Sequence, residues 1–357
     1  MSDSRVDVVI PTYNRAYCLA RTIDSVLEQT HPHCRALVID DGSTDATRSL
    51  IGDRYGGNPS VVYVHRANGG VAAARNTGLA MVGGDYVALL DSDDLWQPWK
   101  IKLQLDCLRA LPGVGMIWTD MSAVDSDGKL VEERYLRRMY GAYSGVPTEA
   151  IFAHSDSFDS LVGERIDIGT TMQPRVYWGD IFSRMVSGNL VHTSTVLMTR
   201  DRAARVGGFN ESFKYSGEDF DFHLRTCREG PVAFVDVPSI YYRIGNEDQL
   251  TRPEYRIHMA MNFLATIEPV IRDDRSRITM SEAELNALQA RAHAWISNVM
   301  FEDNDPRGAL RHSRASLRYV PLQKRMWLIF MLSMLPEGTR ARLLRAYRRS
   351  KKPSAAD

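Results

Sequence analysis

Cysteine is scarce in this chain. Only Cys18, Cys34, Cys107 and Cys227 occur in 357 residues, and no two stand at the close spacing of a thiolate metal site. That scatter speaks against a disulfide framework and reads as reduced thiols of a cytosolic protein. Long apolar runs are also missing. The longest, MWLIFMLSML from Met326 to Leu335, falls well short of the roughly 20 residues a spanning helix needs. No apolar stretch precedes the first strand, where the chain reads MSDSRVD, so no secretory signal is expected. Internal repeats and low-complexity tracts are absent, and neither sign of charge is in excess, with 44 Lys/Arg against 44 Asp/Glu.

That balance conceals an asymmetry. From Leu310 to Asp357 there are twelve Lys/Arg and two Asp/Glu, which leaves 32 against 42 for the rest. A basic tail on an acidic body points to an anionic partner for the tail. Nucleic acid fits poorly, because no aromatics interleave with the basic residues as stacking platforms. Anionic lipid fits better, although two packed helices with a solvated basic end would give the same sequence.

The first 125 residues alternate short β-branched runs with helical patterns. The runs are VDVVI (6–10), ALVID (36–40), VVYVH (61–65), YVALL (86–90) and GMIW (115–118). Between them, Leu19, Ile23, Val26 and Leu27 mark one helical face, and further helices are predicted over 44–54, 71–81 and 98–111. The alternation predicts βαβ units, hence an α/β fold with a mostly parallel sheet flanked by helices. Ligands in such folds bind beyond the carboxyl ends of the strands, which places PTYNR (11–15), DDGSTD (40–45) and DSDD (91–94) at one rim. Residues 126–180 lose the pattern and read as one long irregular connection. A strand is expected at 194–199, a helix at 218–228, strands at 232–237 and 239–244, and helices at 255–271, 281–301, 306–318 and twice more in the tail. The chain thus divides into 1–125, 126–250 and a helical extension, 251–357.

Four segments carry candidate chemistry. YVALLDSDDLW drives an apolar strand into three carboxylates that repel one another. Asp91 and Asp93 point the same way in an extended segment, and such a pair suits Mg²⁺ or Mn²⁺ with phosphate oxygens as further ligands. Asp94 reads as a cap for a helix beginning near Leu95. In DDGSTD, Gly42, Ser43 and Thr44 suit a turn into a helix, and Asp41 is free to read a pyrimidine base. NGGVAAARNTG (68–78) is a Gly-rich helix entry carrying Arg75, fitted either to a diphosphate or to close packing. GEDFDFHLR (217–225) puts Glu218 and Asp219 in a first helical turn, where acids favour the dipole or supply a general base.

In order and spacing, VVIPTYNR, VIDDGSTD, NGGVAAARNTGLA, GDYVALLDSDDLW, VGGFNESF and GEDFDFHLR resemble the family 2 glycosyltransferases with the GT-A nucleotide-sugar-binding fold, over roughly residues 5–245. The resemblance implies an inverting single displacement from a nucleotide-sugar, with UDP the expected nucleotide, to a hydroxyl of a glycan or lipid-linked glycan. Pro11, Thr12 and Tyr13 would frame the nucleoside, Asp41 hold the base and Arg75 approach the nucleotide. Asp91 and Ser92 would lie against the donor, Asp93 with Asp91 would bind the divalent cation, and Asp219 would be the base. Glu218, Trp96 and Arg243 would surround the acceptor. The protein would work in the cytoplasm, at the inner face of a membrane through its basic tail, with the C-terminal helices available for oligomerisation. One departure stands out: relatives carry a histidine shortly after a Tyr-Arg pair, whereas Tyr242-Arg243 here is followed by Ile244-Gly245-Asn246, and His258 lies too far along. A catalytically silent binding module has no need of Asp219 beside an intact DSDD, and a nucleotidyltransferase would require a basic Gly-rich loop where PTYNR stands.

Overall fold

The computed structural model describes residues 4–169, 171, 173–245 and 253–350. The chain forms two compact units, Met1–Leu250 and Thr251–Asp357.

Among the described residues, the first unit is built on eleven strands: β1 (Val6–Thr12), β2 (Cys34–Asp40), β3 (Val61–His65), β4 (Tyr86–Leu89), β5 (Leu95–Trp96), β6 (Met116–Val124), β7 (Leu130–Glu132), β8 (His154–Ser157), β9 (Arg175–Gly179), β10 (Leu197–Thr199) and β11 (Val232–Arg243). The sheet runs β3-β2-β1-β4-β10-β6-β11-β9-β8. β3, β2, β1 and β4 are parallel neighbours, β10 is antiparallel to both β4 and β6, and β6 pairs in parallel with β11. All the central strands except β10 therefore point one way, and their carboxyl ends share one rim. Every residue of β1 is buried, as a strand covered on both faces requires. Removing Val8, Val9 or Ile10 from water contributes about 1.5–3 kcal/mol each.

The helix Val71–Ala80 lies tightly on β1. A Cβ added at Gly78 would meet Val9 Cγ1 at 2.3 Å, so the small residues of NGGVAAARNTG permit close approach of helix to strand. Three expectations need correction. Residues 126–180 hold β7, β8 and β9 and short helices, because half-exposed polar strands such as HSDS lack an apolar run. The two strands expected over 232–244 are one, bent at Pro238 by a register shift against β6. No helix begins at Leu95; β5 pairs there with β11, and the helix starts at Lys100.

The second unit contains helices Arg256–Asp273, Glu282–Glu302, Pro306–Tyr319, Lys324–Ser333 and Glu337–Ser350. Its ends are set locally: Ser281 and Glu284 form a capping box, and Asp305 caps a helix whose first residue is Pro306. Among the described residues, no helix is long and apolar enough to cross a membrane.

Candidate active site

The loops leaving β1 and β2 are joined by Asn14, whose φ of 53° is in the left-handed region that asparagine tolerates. Its N–H donates to Ser43 Oγ at 2.8 Å, and its side-chain oxygen accepts from the Thr44 N–H at 2.8 Å. Pro11 and Thr12 are buried beneath this junction, while Tyr13 is 49% exposed beside it. Among the described residues, the buried Thr12 hydroxyl meets no hydrogen-bond partner.

The Asp41 carboxylate is held by donors of the protein itself. It accepts from the Gly69 N–H at 3.1 Å and the Gly70 N–H at 2.7 Å, and Arg66 pairs with it at 3.1 Å. The anion at the N-terminus of the helix Val71–Ala80 is thus a side chain of the protein itself.

Arg75 is the centre of the acidic cluster. It is 4% exposed, and its guanidinium pairs with Asp91 Oδ1 at 2.7 Å and Glu218 Oε1 at 2.7 Å. One buried fork joins the segment after β4 to the helix Glu218–Arg228, with Arg75 itself 143 residues from Glu218. Burial alone would raise the Asp91 pKa, but Arg75, with His192 and Arg15, holds the carboxyl below its usual range. Burial prevails at Glu218 and at Asp219, which are both raised. Asp219 is partly exposed and accepts a hydrogen bond from Asn189 at 3.3 Å. Gly217, with φ of 92°, makes the left-handed turn that starts this helix with both acids in its first turn.

The three aspartates of DSDD divide sharply. Asp93 is 15% exposed and pairs with Arg15 at 2.9 Å. Burial, then the charges of Asp94 and Asp91, push its pKa up to about 7 despite Arg15. Asp94 is 1% exposed and caps no helix. It accepts the backbone N–H of Arg243 and lies 3.4 Å from His192 Nε2. Asp91, Asp94 and His192 offer one ligand atom each within 4.8 Å of one another. Burial lowers the His192 pKa, but its contact with Asp94 and the charges of Asp91 and Asp219 reverse the shift and raise it. Tyr140 lies 3.3 Å from the other ring nitrogen, and the Tyr242 ring meets the imidazole edge-on at 4.9 Å.

His192 is the residue the sequence missed. Nothing in NLVHTST marks it, because its role comes from β10 lying beside β4. Trp96, expected beside the acceptor, is in the core. Its indole N–H donates to the Ser194 carbonyl at 2.9 Å, and the buried Lys100 Nζ lies 4.0 Å from its ring centroid. It therefore braces the His192 loop from behind. Ser92 is buried too, its carbonyl held by Thr22 at 2.9 Å. The positions that follow Gly245 in the Tyr242-Arg243 segment, Asn246 included, lie outside the described residues.

The mostly parallel sheet, with a paired Glu-Asp and a DSDD segment beyond its strand ends, has the GT-A type of fold. Residues 7–141 match Glycosyl transferase family 2. Chondroitin synthase of Escherichia coli is 32% identical over 130 residues, which is 36% of this chain and 19% of that protein. The chain thus spans only a part of that relative's length. Two solved structures share the fold. S. aureus TarS 1-349 in complex with UDP-GlcNAc has a TM-score of 0.58 at 16% identity, covering 99% of this chain and 94% of that one. The mannosyltransferase PcManGT from Pyrobaculum calidifontis, with GDP-Man and Mn2+, has a TM-score of 0.50 at 18% identity, covering 98% and 84%.

Proposed function

We propose that the chain transfers a sugar from a UDP-sugar to a hydroxyl of a glycan or lipid-linked glycan, with inversion, using Asp219 as base. The observation that carries this reading is the Arg75 fork, which brings the DSDD segment and the Glu218-Asp219 pair to one rim. Tyr13 and the buried Thr12 hydroxyl lie at the nucleoside end of that rim. The donors in the two similar structures, UDP-GlcNAc and GDP-Man, support a nucleotide-sugar.

Asp219 suits a base because burial raises its proton affinity while part of it reaches solvent. Asn189 orients the carboxylate, which takes the proton of the acceptor hydroxyl as that oxygen attacks the anomeric carbon and the nucleoside diphosphate departs on the opposite face. Glu218 remains locked on Arg75 and sets the position of its neighbour. The pocket fits a divalent cation: Asp91 and Asp93 are its solvent-side carboxylates, and Asp94 and His192 back them. Such a cation supplies charge opposite the leaving diphosphate.

The test is Asp219→Asn, isosteric and uncharged. Donor binding should persist while transfer falls by about 10²–10⁴-fold. Transfer near the parent rate would show that Asp219 is not the base.

A further inference from the structure

The helix Lys324–Ser333 is apolar on both sides. Met326 and Ile329, at 2% and 3% exposure, pack inward against Ala309 and Leu317. The opposite side carries Trp327 at 47%, Leu328 at 47%, Met331 at 56% and, just past the helix end, Met334 at 63%; Leu322 in the preceding turn is 95% exposed. Trp327, Met331 and Met334 are spaced i, i+4, i+7, one continuous stripe. The only polar atom of Trp327 is already satisfied, since its indole N–H donates to the Pro321 carbonyl at 2.9 Å, so the ring offers water an apolar surface alone. Exposed Lys324 and Arg325 open the helix, and exposed Arg314 and Arg318 lie on the helix before it.

We infer that this face docks on an anionic lipid bilayer, with the Leu322–Met334 stripe entering the acyl boundary and the surrounding cations meeting headgroup phosphates. An apolar stripe bordered by Lys/Arg is the pattern of a helix lying in the membrane plane. Ten residues reach about 15 Å, half a hydrocarbon core, so the helix lies on the bilayer and does not span it. The charge of the Leu310–Asp357 segment, twelve basic against two acidic residues, disfavours a second copy on the same face, because like charges would oppose. Nucleic acid gives the aliphatic stripe nothing to bury against.

The inference stands apart from the donor chemistry, so its failure would leave the transfer reading intact. The full chain should co-sediment with vesicles of phosphatidylcholine mixed with phosphatidylglycerol, and far less with phosphatidylcholine alone. The double variant Trp327→Gln/Met331→Gln should lose about tenfold or more in partitioning, and Lys324→Glu about fivefold. All three positions are solvent-facing, and unchanged helicity and melting would confirm intact folding. Equal binding to both vesicle types, or unaltered binding by the double variant, would overturn the inference. So would a chain that ignores vesicles and sediments as a dimer which the double variant dissociates; the stripe would then belong to a second copy.

Discussion

Replacing Arg75 by methionine separates two roles that one residue could play. The sequence pattern aims Arg75 at the nucleotide, whereas the structure encloses it between Asp91 and Glu218 at 2.7 Å each. Methionine keeps the length and apolar stem but removes the charge, leaving Glu218 buried and Asp91 partly buried without a cation. Breaking a buried ion pair from one side costs about 3–5 kcal/mol. Because Asp91 keeps 28% of its surface, the lower end, about 3 kcal/mol, is expected. For a unit of this size that is a fall of roughly 6–12 °C in melting temperature, read by thermal scanning of the unit's near-UV signal. Arg75→Lys should recover little, since one ammonium cannot bridge two carboxylates as a planar fork does. Adding Glu218→Gln to Arg75→Met should restore part of the loss by removing one stranded charge. Melting within about 1 °C of the parent, together with a large loss of UDP affinity, would refute this reasoning and return Arg75 to the donor.

Two further outcomes concern the pocket and the helical unit. Mn²⁺ binding measured by calorimetry with UDP should be abolished in Asp93→Ala and weakened less in His192→Ala, whose ring is 3.4 Å from the closed Asp94; the reverse order would place the ion on Asp91, Asp94 and His192. In the second unit, His293 and His312 share a 3.0 Å contact between ring nitrogens, which is lost when both rings are protonated, because one nitrogen must accept. Burial, then His312, depresses the His293 pKa from 6.5 to about 4, so the unfolded chain binds the extra proton between those values. Stability is therefore full above pH 6.5 and falls as pH drops toward 4. A loss on the order of 1–2 kcal/mol, discounted for solvent at His312, should appear in helical melts at pH 5 against pH 7.5. Equal midpoints, or the same drop in His293→Gln, would exclude the pair as its cause.

Much of the first unit was legible because parallel strands and the helices between them write their burial as local patterns. VVYVH became β3 without a shift, and the acidic helix Glu218–Arg228 began where its glycine and carboxylates implied. Periodicity failed where strands lie at a sheet edge and bury little: HSDS of β8 is polar and half-exposed, and reads as loop. The site shows the same division. The sequence by itself determined which acids exist and that DSDD and Asp41 leave strand ends at one rim, because strand direction follows from alternation. Only the tertiary structure decided their partners. It gave Asp41 to the Gly69 and Gly70 N–H groups, Asp93 to Arg15 and Asp94 to His192, and it set Arg75 between carboxylates 127 residues apart in the chain, Asp91 and Glu218. A carboxylate's role depends on which donor stands within about 3 Å, and those distances are set by long-range strand pairing, with β1 between β2 and β4 and β10 between β4 and β6, which no local spacing encodes.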